Sequence, residues 1–304
     1  STGAEVLEGL KNEHPAVSLL LNYRQLAKLK STYADGLQDC IAEDGRIHST
    51  FNQTEARTGR ISSLEPNLQN IPVRTAEGRR LREYFNAPAG RVLCDADYSQ
   101  IELRVLASMS GDANMINAFG SGTDIHTVTA SQVFGLPQDM ITPELRSRAK
   151  AVNFGIVYGI GAFSLSKDIG VTRAEADRYI KSYLAAYPDV AAYMEKAIDD
   201  AKKNGYVTTL YGRRRYIPEL SNSNGNMRAF GERVARNAPI QGTAADIIKI
   251  AMIKVSRSLK EEFPTARLIL QVHDELIVEC DEKDAEDICT LLEREMENAA
   301  DLAV

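Results

Sequence analysis

Apolar positions recur at helical spacing over most of this chain. Between residues 16 and 39 they follow a proline and predict a helix. They are Leu19, Leu20, Tyr23, Leu26, Leu29 and Tyr33. The same spacing predicts helices over residues 101–109, 243–262 and 283–300. Residues 112–235 are almost wholly helical in pattern, with breaks at glycines and prolines.

Shorter stretches have the pattern of β-strands. Residues 91–98 predict one strand, and residues 267–280 predict a strand pair. Residues 41–53 predict a short pair around a polar turn, and residues 207–210 a hairpin-like piece. Strands at both ends of the sequence, with helices between them, predict an α+β fold in which a sheet domain carries a helical subdomain.

Residues 54–80 are polar and rich in arginine, yet apolar side chains punctuate them. The arginines are Arg57, Arg60, Arg74, Arg79 and Arg80. We therefore expect an ordered loop that is able to bind phosphate groups.

The composition of the 304 residues, 44% apolar and 26% charged, is that of an ordinary globular protein. No apolar run is long enough for a transmembrane helix, so no membrane partner is expected. The net charge of -6 is uneven, because twelve acidic and two basic residues lie from Asp274 onward. The remaining body is mildly basic, which is compatible with a nucleic-acid partner.

The four cysteines, Cys40, Cys94, Cys280 and Cys289, have no zinc-site spacing. We interpret them as free, buried thiols of a protein in the reducing cytoplasm.

Asp97 is expected at the end of the strand over residues 91–98, where the chain turns into a helix. A carboxylate at that point can face a cleft and bind Mg²⁺ together with substrate phosphates. Asp95 lies two residues earlier and shares its face of the strand. A helix cap is the alternative interpretation of Asp97.

Asp274 lies at the predicted turn between two apolar runs. Tight hairpin turns favour Asn-Gly or Asp-Gly, so the His273-Asp274 pair breaks a local rule, as functional sites often do. A plain exposed turn is the alternative. Two aspartates at strand ends could meet on one sheet and hold two metal ions.

Arg146, Lys150, Phe154 and Tyr158 are spaced by four and share one helix face. Thr142 and Pro143 predict the start of that helix, whose dipole would help the cations attract a triphosphate. An amphipathic surface helix is the alternative.

Asn237 and Gln241 lie in two consecutive segments, Arg233 to Asn237 and Pro239 to Thr243. Their amides can contact base edges in a minor groove, or they can cap loops.

Together these segments resemble the family A DNA polymerases over essentially the whole chain. The matching stretches are Asp97 to Arg104, Arg146 to Gly159, Val272 to Glu275, and Thr58 to Pro72. The resemblance implies a right-hand polymerase fold, with an antiparallel palm sheet and a helical fingers subdomain. It implies a partial thumb and thumb–palm helix in residues 1–45, palm in 46–111 and 233–304, and fingers in 112–232. We expect the chain to begin inside the thumb and to end before the last palm strand.

The resemblance also implies DNA-directed DNA polymerase activity in replication and repair. Two Mg²⁺ ions, or Mn²⁺ in their place, would bind Asp97, Asp274 and the backbone carbonyl of Tyr98. Glu275 would be an auxiliary carboxylate, and Lys150 would protonate the leaving pyrophosphate.

The partners implied are deoxynucleoside triphosphates and primer-template DNA, bound by a monomer. The implied nucleotide contacts are Gln100, Glu102, His126, Arg146, Lys150, Phe154 and Tyr158. Glu102 would exclude a 2′-hydroxyl as a steric gate. The implied DNA contacts are Lys30, Thr58, Arg60, Gln69, Asn70, Arg233, Asn237, Gln241 and His273.

Two other hypotheses stay open. The chain could bind nucleic acid or nucleotide without turnover, or it could be another two-metal enzyme, a nuclease or an RNA polymerase.

Overall fold

The computed structural model describes residues 2–72 and 75–304; Arg74, expected in the basic loop, lies outside them. The fold is α+β, as predicted. Its central sheet has three antiparallel strands. The strands are β1 (Thr50–Asn52), β2 (Ser62–Leu64), β3 (Arg91–Asp97), β4 (Tyr206–Thr208), β5 (Arg214–Tyr216), β6 (Arg267–Val272) and β7 (Glu275–Asp281).

The central sheet has the order β3-β7-β6, so its middle strand comes from the end of the chain. The register places Arg91 opposite Asp281 and Asp97 opposite Glu275, with an irregularity in β6 near Leu268. The predictions of a strand over 91–98 and a strand pair over 267–280 are confirmed. The register brings the end of β3 beside the β6–β7 turn.

The predicted strand pair over 41–53 is wrong in its pairing. The turn forms, with Gly45 at a positive φ, but only one bridge joins Ile41 to Ile47. Strand β1 pairs instead with β2, which lies inside the stretch expected to be a loop. The Ser49 and Ser63 side chains hydrogen-bond across that pair, a non-local contact that hydrophobic spacing does not reveal.

Helices make up most of the remaining described chain. They are α1 (Ala4–Gly9), α2 (Pro15–Lys28), α3 (Gly36–Gln38), α4 (Ala76–Arg82), α5 (Ile101–Ser110), α6 (Ala113–Gly120), α7 (Ile125–Phe134), α8 (Pro143–Val157), α9 (Ala162–Ile169), α10 (Arg173–Ala186), α11 (Pro188–Asn204), α12 (Gly225–Glu262) and α13 (Ala285–Glu297).

A π-helical segment, Leu29–Asp35, joins α2 to α3, so residues 15–38 are helical as predicted. Most of the apolar residues of this segment do not face a core: Leu19 and Tyr23 are about 70% exposed. Tyr33 is buried, and its hydroxyl donates to the backbone oxygen of Asn70 at 2.6 Å. That bond ties the segment to the loop before α4.

Helix α12 runs without a break from Gly225 to Glu262, so it joins the helical pattern that ended at residue 235 to the helix predicted from residue 243. Pro239 lies inside it, although proline lacks the amide of a helical hydrogen bond. Ala235, Ala238 and Ile240 are buried around that proline, so packing outweighs the local penalty. Arg233, Asn237 and Gln241 therefore lie along one helix, not in a loop.

The main hydrophobic core joins the central sheet to the helices packed around it. Helix α5 packs against α8, α11 and α12, and its Leu103 and Leu106 are fully buried. Leu276 and Val278 of β7 are equally buried. The start of α5 and the end of β3 are therefore held by one packed core.

All four cysteines are free thiols. Cys94 and Cys280 are buried in the sheet with their sulfur atoms 3.5 Å apart. Cys40 is half-buried and Cys289 is exposed, so the expectation of burial is wrong for Cys289.

None of the helices within residues 2–72 and 75–304 combines the length and the apolar character that a bilayer crossing needs.

Asp112 joins two helices at their N-termini. It is fully buried, and its Oδ1 accepts from the Met115 amide of α6 at 3.0 Å. Its Oδ2 accepts from the Asp189 amide of α11 at 2.9 Å. One side chain thus caps two helices that are far apart in sequence.

We expect Asp112→Ala to lower the free energy of unfolding by about 2–4 kcal/mol, because both caps are lost and buried amides are left unpaired. Asp112→Asn keeps one acceptor oxygen and should lose less. Urea denaturation measures both. Asp199→Ala, on an exposed part of α11, is the control and should stay within about 0.5 kcal/mol of the parent. An equally small change in Asp112→Ala would contradict the double cap.

Candidate active site

Two carboxylates meet at one end of the central sheet. Asp97 ends β3, and the next amide, of Tyr98, donates to the backbone oxygen of Asp274 at 3.1 Å. Asp97 does not cap the following helix, because the residue at that position is Gln100, which makes no side-chain cap. The cap interpretation of Asp97 is therefore wrong, and the meeting of the two aspartates is confirmed.

The β6–β7 turn is not a plain exposed turn. His273 has a φ of 57°, a left-handed conformation that is uncommon for a side-chain-bearing residue. The buried Gln271 side chain donates to the His273 oxygen at 2.5 Å. Gln69 in turn donates to the Gln271 side chain at 3.1 Å and to its backbone oxygen at 3.0 Å. These bonds hold the turn that presents Asp274.

The electrostatics of this sheet end favour a cation. Burial, followed by the charge of Asp97, raises the pKa of Asp274 to about 6. Burial and Asp95 raise the pKa of Asp97. Burial and a hydrogen bond with Asp95 raise the pKa of Glu275 to about 7. Among the described residues no ion pair neutralises Asp97 or Asp274, so negative charge accumulates there.

The described residues contain no group of three or more His, Cys, Asp or Glu that could hold a metal ion. A cation at Asp97 and Asp274 would therefore need further oxygen ligands from the backbone or from a bound substrate. That donor set suits Mg²⁺, which commonly binds through one or two carboxylates plus substrate phosphates.

Glu102 is the centre of a second cluster beside the carboxylate pair. It is only 6% exposed; its Oε1 accepts from Arg60 at 2.7 Å and its Oε2 accepts from the Tyr158 hydroxyl at 2.8 Å. The charge of Arg60 lowers the pKa of Asp274, and the charge of Glu102 raises it. The two clusters therefore adjoin. The structure thus joins the basic loop, α5 and the end of α8 at one point.

Helix α8 begins as predicted, with the Thr142 side chain accepting from the Leu145 amide and Pro143 in the first turn. Lys150 lies 5.9 Å from the Phe154 ring centroid, and the rings of Phe154 and Tyr158 are stacked 6.4 Å apart. These contacts confirm that the side chains share one face of the helix.

Arg146, predicted to bind a triphosphate, is held by a carboxylate instead. Its Nε and Nη2 donate to the two oxygens of Asp124 at 2.9 and 2.8 Å. Burial opposes ionisation of Asp124, but the bonds from Arg146 and Thr127 outweigh it and lower its pKa to about 2. Asp124 was not predicted as part of the site. Its position just before an apolar helix indicates a helix cap, and this explanation gave no reason to expect Arg146 as a second partner.

His126 lies two residues after Asp124, at the start of α7, and is 1% exposed. Its ring centroid is 5.8 Å from that of Phe154. Burial, with repulsion from Arg146 and Lys150, lowers its pKa to about 4, although Asp124 opposes the shift. The ring is therefore neutral near pH 7.

Gln100 and Asn237 each have a polar atom without a partner. The Gln100 Oε1 and Asn237 Nδ2 atoms are buried and make no hydrogen bond within the described chain. Gln100 also has a left-handed backbone, with φ 60°. Unpaired buried polar atoms are uncommon and call for an explanation, such as a bound ligand or water.

A groove of about 590 Å³ runs beside this site and contains several of the predicted DNA contacts. It is lined by Gln69, Asn70 and His273, together with Lys28 and Thr32 of the first long helix. Lys30 does not line it; its side chain is exposed and pairs with Asp35.

Thr58 lies against α12, where Gly242 permits a close approach. A Cβ at Gly242 would lie 2.6 Å from the Thr209 methyl carbon and 3.4 Å from the Thr58 oxygen. Arg233, exposed on the same helix, has its guanidinium 5.7 Å from the Phe230 ring centroid. No contact among the described residues joins Arg233 or Gln241 to the carboxylate pair.

The family model described as "DNA polymerase family A" matches residues 1–304. DNA polymerase I of Bacillus subtilis (strain 168) is 52% identical over 307 residues, which cover 100% of this chain and 35% of that protein. The thermostable DNA polymerase I of Thermus aquaticus is 49% identical and is covered to 36%. This chain therefore belongs to DNA polymerase family A.

A solved structure, the "POL domain of Pol1 from M. smegmatis complex with DNA primer-template and dNTP", is similar with a TM-score of 0.95 and 47% identity. The match covers 100% of this chain and 54% of that chain. This chain spans about a third of the length of the curated relatives, 35–36% of each.

We expect stability to fall between pH 6.5 and 4 through His126. In that range the unfolded chain binds a proton that the buried ring, with a pKa of about 4, does not bind. The contribution lost is on the order of 3 kcal/mol by pH 4. Urea denaturation of the parent and of His126→Gln at pH 7 and 4.5 measures it.

The parent should lose clearly more stability on acidification than His126→Gln does. His48→Gln, at an exposed histidine, is the control and should follow the parent. Equal losses in the parent and in His126→Gln would contradict a neutral buried ring.

Proposed function

We propose that this chain is the polymerase part of a DNA-directed DNA polymerase, which adds deoxynucleotides to a primer 3′-hydroxyl and releases pyrophosphate. The observation that carries the proposal is the junction of three elements: the unneutralised Asp97–Asp274 pair, the buried Glu102, and the end of the basic helix α8. Membership of the family supports it, and so does the primer-template and dNTP complex of the similar M. smegmatis domain.

Asp97 and Asp274 would hold two Mg²⁺ ions, for which Mn²⁺ can substitute, with the Tyr98 carbonyl as a further ligand. Their paired negative charge and hard oxygen donors fit such ions. Bound there, the metal ions would lower the pKa of the primer hydroxyl and neutralise charge on the leaving phosphates. Glu275, opposite Asp97 in the sheet, would add charge to the same site.

Arg146 and Lys150 would bind the triphosphate, and Lys150 would give a proton to the leaving pyrophosphate. Arg146 must then exchange the Asp124 carboxylate for phosphate oxygens. Both partners are half-exposed to solvent, which permits the exchange. Gln100 and His126 would be further contacts, and Phe154 would lie near the sugar.

Glu102 would discriminate against ribonucleotides. Its carboxylate is fixed by Arg60 and Tyr158, so it cannot easily rotate away from a 2′-hydroxyl. Tyr158 would occupy the templating position until the helix moves.

Primer-template DNA would bind along the groove beside His273. Gln69, Asn70 and His273 line it, and we propose Lys30, Thr58, Arg60, Arg233, Asn237 and Gln241 as further contacts. The unpaired Asn237 amide supports a contact with a base edge.

In this proposal residues 46–111 and 233–304 form the palm, 112–232 the fingers, and 1–45 part of the thumb and its connecting helix. The protein would act as a cytoplasmic monomer in DNA replication and repair.

We expect Asp97→Asn and Asp274→Asn each to lower the rate of primer extension with Mg²⁺ by at least about a hundredfold, because metal ions contribute several kcal/mol to the transition state. Asp199→Asn, on the exposed face of α11, is the matched control. The measurement is single-nucleotide extension of a labelled primer.

Extension that survives both substitutions would refute the two-metal proposal. Salt-sensitive DNA binding without extension by the parent chain would favour a binding-only role. Hydrolysis of DNA without added nucleotide would favour a nuclease.

We expect Glu102→Ala to weaken discrimination against ribonucleotides by about tenfold or more, because space opens where a 2′-hydroxyl would lie. Glu102→Gln keeps the bulk and should retain most of the discrimination. The measurement is the ratio of kcat/KM for a ribonucleotide and its deoxy counterpart. Unchanged ratios in Glu102→Ala would rule out the gate.

A further inference from the structure

A buried polar cluster lies behind the nucleotide-binding face of α8. It consists of His126 and Thr129 on α7 and Asn153 on α8, which are 1%, 0% and 0% exposed. A buried amide without hydrogen bonds costs free energy, so the placement of Asn153 must be compensated by its partners.

The hydrogen bonds of this cluster connect the Asn153 amide to a residue on each side. The Asn153 Nδ2 atom lies 2.9 Å from the Nδ1 of His126. Both amide atoms of Asn153 lie 3.2 Å from the Thr129 hydroxyl, which can donate to Oδ1 and accept from Nδ2. The Tyr187 hydroxyl lies 3.4 Å from the same oxygen of Thr129. With the NH₂ group of Asn153 facing the ring, that group donates and the His126 Nδ1 accepts.

A neutral ring that accepts at Nδ1 has its proton on Nε2. Burial and the two neighbouring cations keep the ring neutral, as shown by its lowered pKa. Within the described chain Nε2 makes no hydrogen bond, and it is not among the fully enclosed polar atoms that lack a partner. It is therefore a donor without a protein partner among the described residues, although the ring as a whole is only 1% exposed.

We propose that Asn153 is a positioning residue, anchored by Thr129, which fixes the tautomer of His126 so that Nε2–H is donated to the triphosphate of the incoming nucleotide. The inference rests on the proposed function. It adds to it the reason why an amide is buried at residue 153, directly before Phe154.

The opposite tautomer would present a lone pair to phosphate oxygens and repel them. Arg146 and Lys150 supply positive charge in the N-terminal half of α8, but charge alone does not orient a polyphosphate. A fixed neutral donor adds direction to that attraction without an additional buried charge.

The tautomer can be measured directly, without any activity. The chain has four histidines, so ¹⁵N side-chain spectra at pH 7 are readily assigned with the His126→Gln variant. We expect the His126 Nδ1 to resonate as an unprotonated nitrogen and Nε2 as a protonated one. A protonated Nδ1 in the parent protein would overturn the inference, whatever the enzymatic activity.

Kinetics test the consequence. We expect Asn153→Leu to raise the KM for the incoming deoxynucleotide about tenfold, with a smaller change in kcat, because a hydrogen bond to a charged group is weakened. His126→Gln has an amide nitrogen near the position of Nε2 and should remain closer to the parent. Asn117→Leu, at an exposed asparagine of α6, is the control.

The double variant separates positioning from general packing. If Asn153 acts through the ring, Asn153→Leu should add little to the KM of His126→Gln. An equal further rise in the double variant would mean a merely structural role and would overturn the inference. Thr129→Val removes the hydroxyl that holds the Asn153 side-chain amide, so it should also raise the KM. This variant replaces Asn153→Leu in the test if Asn153→Leu does not fold.

The two proposals can fail separately. A parent chain that extends no primer contradicts the proposed function and leaves the spectroscopic result to decide the tautomer. A parent chain that extends primers while Asn153→Leu keeps the parent KM contradicts only the inference.

Discussion

The backbone hydrogen bond from Tyr98 to Asp274 is the constraint on which the site depends. It closes the end of the sheet and brings two carboxylates together, although like charges in a partly buried place repel each other. The fold tolerates this repulsion because the core under β7 is tightly packed and Gln271 fixes the turn at His273. Such a site is electrostatically incomplete by itself, and a bound cation would complete it.

The same end of the sheet contains a group that is electrostatically complete. Glu102 has a guanidinium on one oxygen and a phenol on the other, so its position is fixed before any ligand arrives. A fixed carboxylate suits a steric role, whereas an unpaired carboxylate suits a cation. The number of hydrogen-bond and ion-pair partners thus distinguishes Glu102 from the neighbouring Asp97 and Asp274.

The sequence predicted the sheet and the aspartate pair because both depend on short-range signals: apolar alternation and a turn that breaks a local rule. It failed where packing outweighs such signals. Residues 236–242, which include Pro239, lay between two predicted helical stretches, yet α12 continues through them because Ala238 and Ile240 are buried. Asn153 and Asp124 were missed because their partners lie far away in sequence. Asn153 contacts His126, 27 residues earlier, and Asp124 contacts Arg146, 22 residues later. Hydrophobic spacing does not tell how α7 and α8 face each other.

The Asp124–Arg146 pair is the contact that a triphosphate would have to displace in the proposed function. A single carboxylate neutralises the guanidinium and also caps α7, so it holds the helix that carries His126. A triphosphate has more charge than a carboxylate and can compete for Arg146 when Lys150 adds its attraction. Asp124 would keep its bonds to Thr127 after that exchange, so α7 would stay capped. In the proposed function the Arg146 guanidinium would therefore change partners while the neutral donor beside it, His126, stays in place.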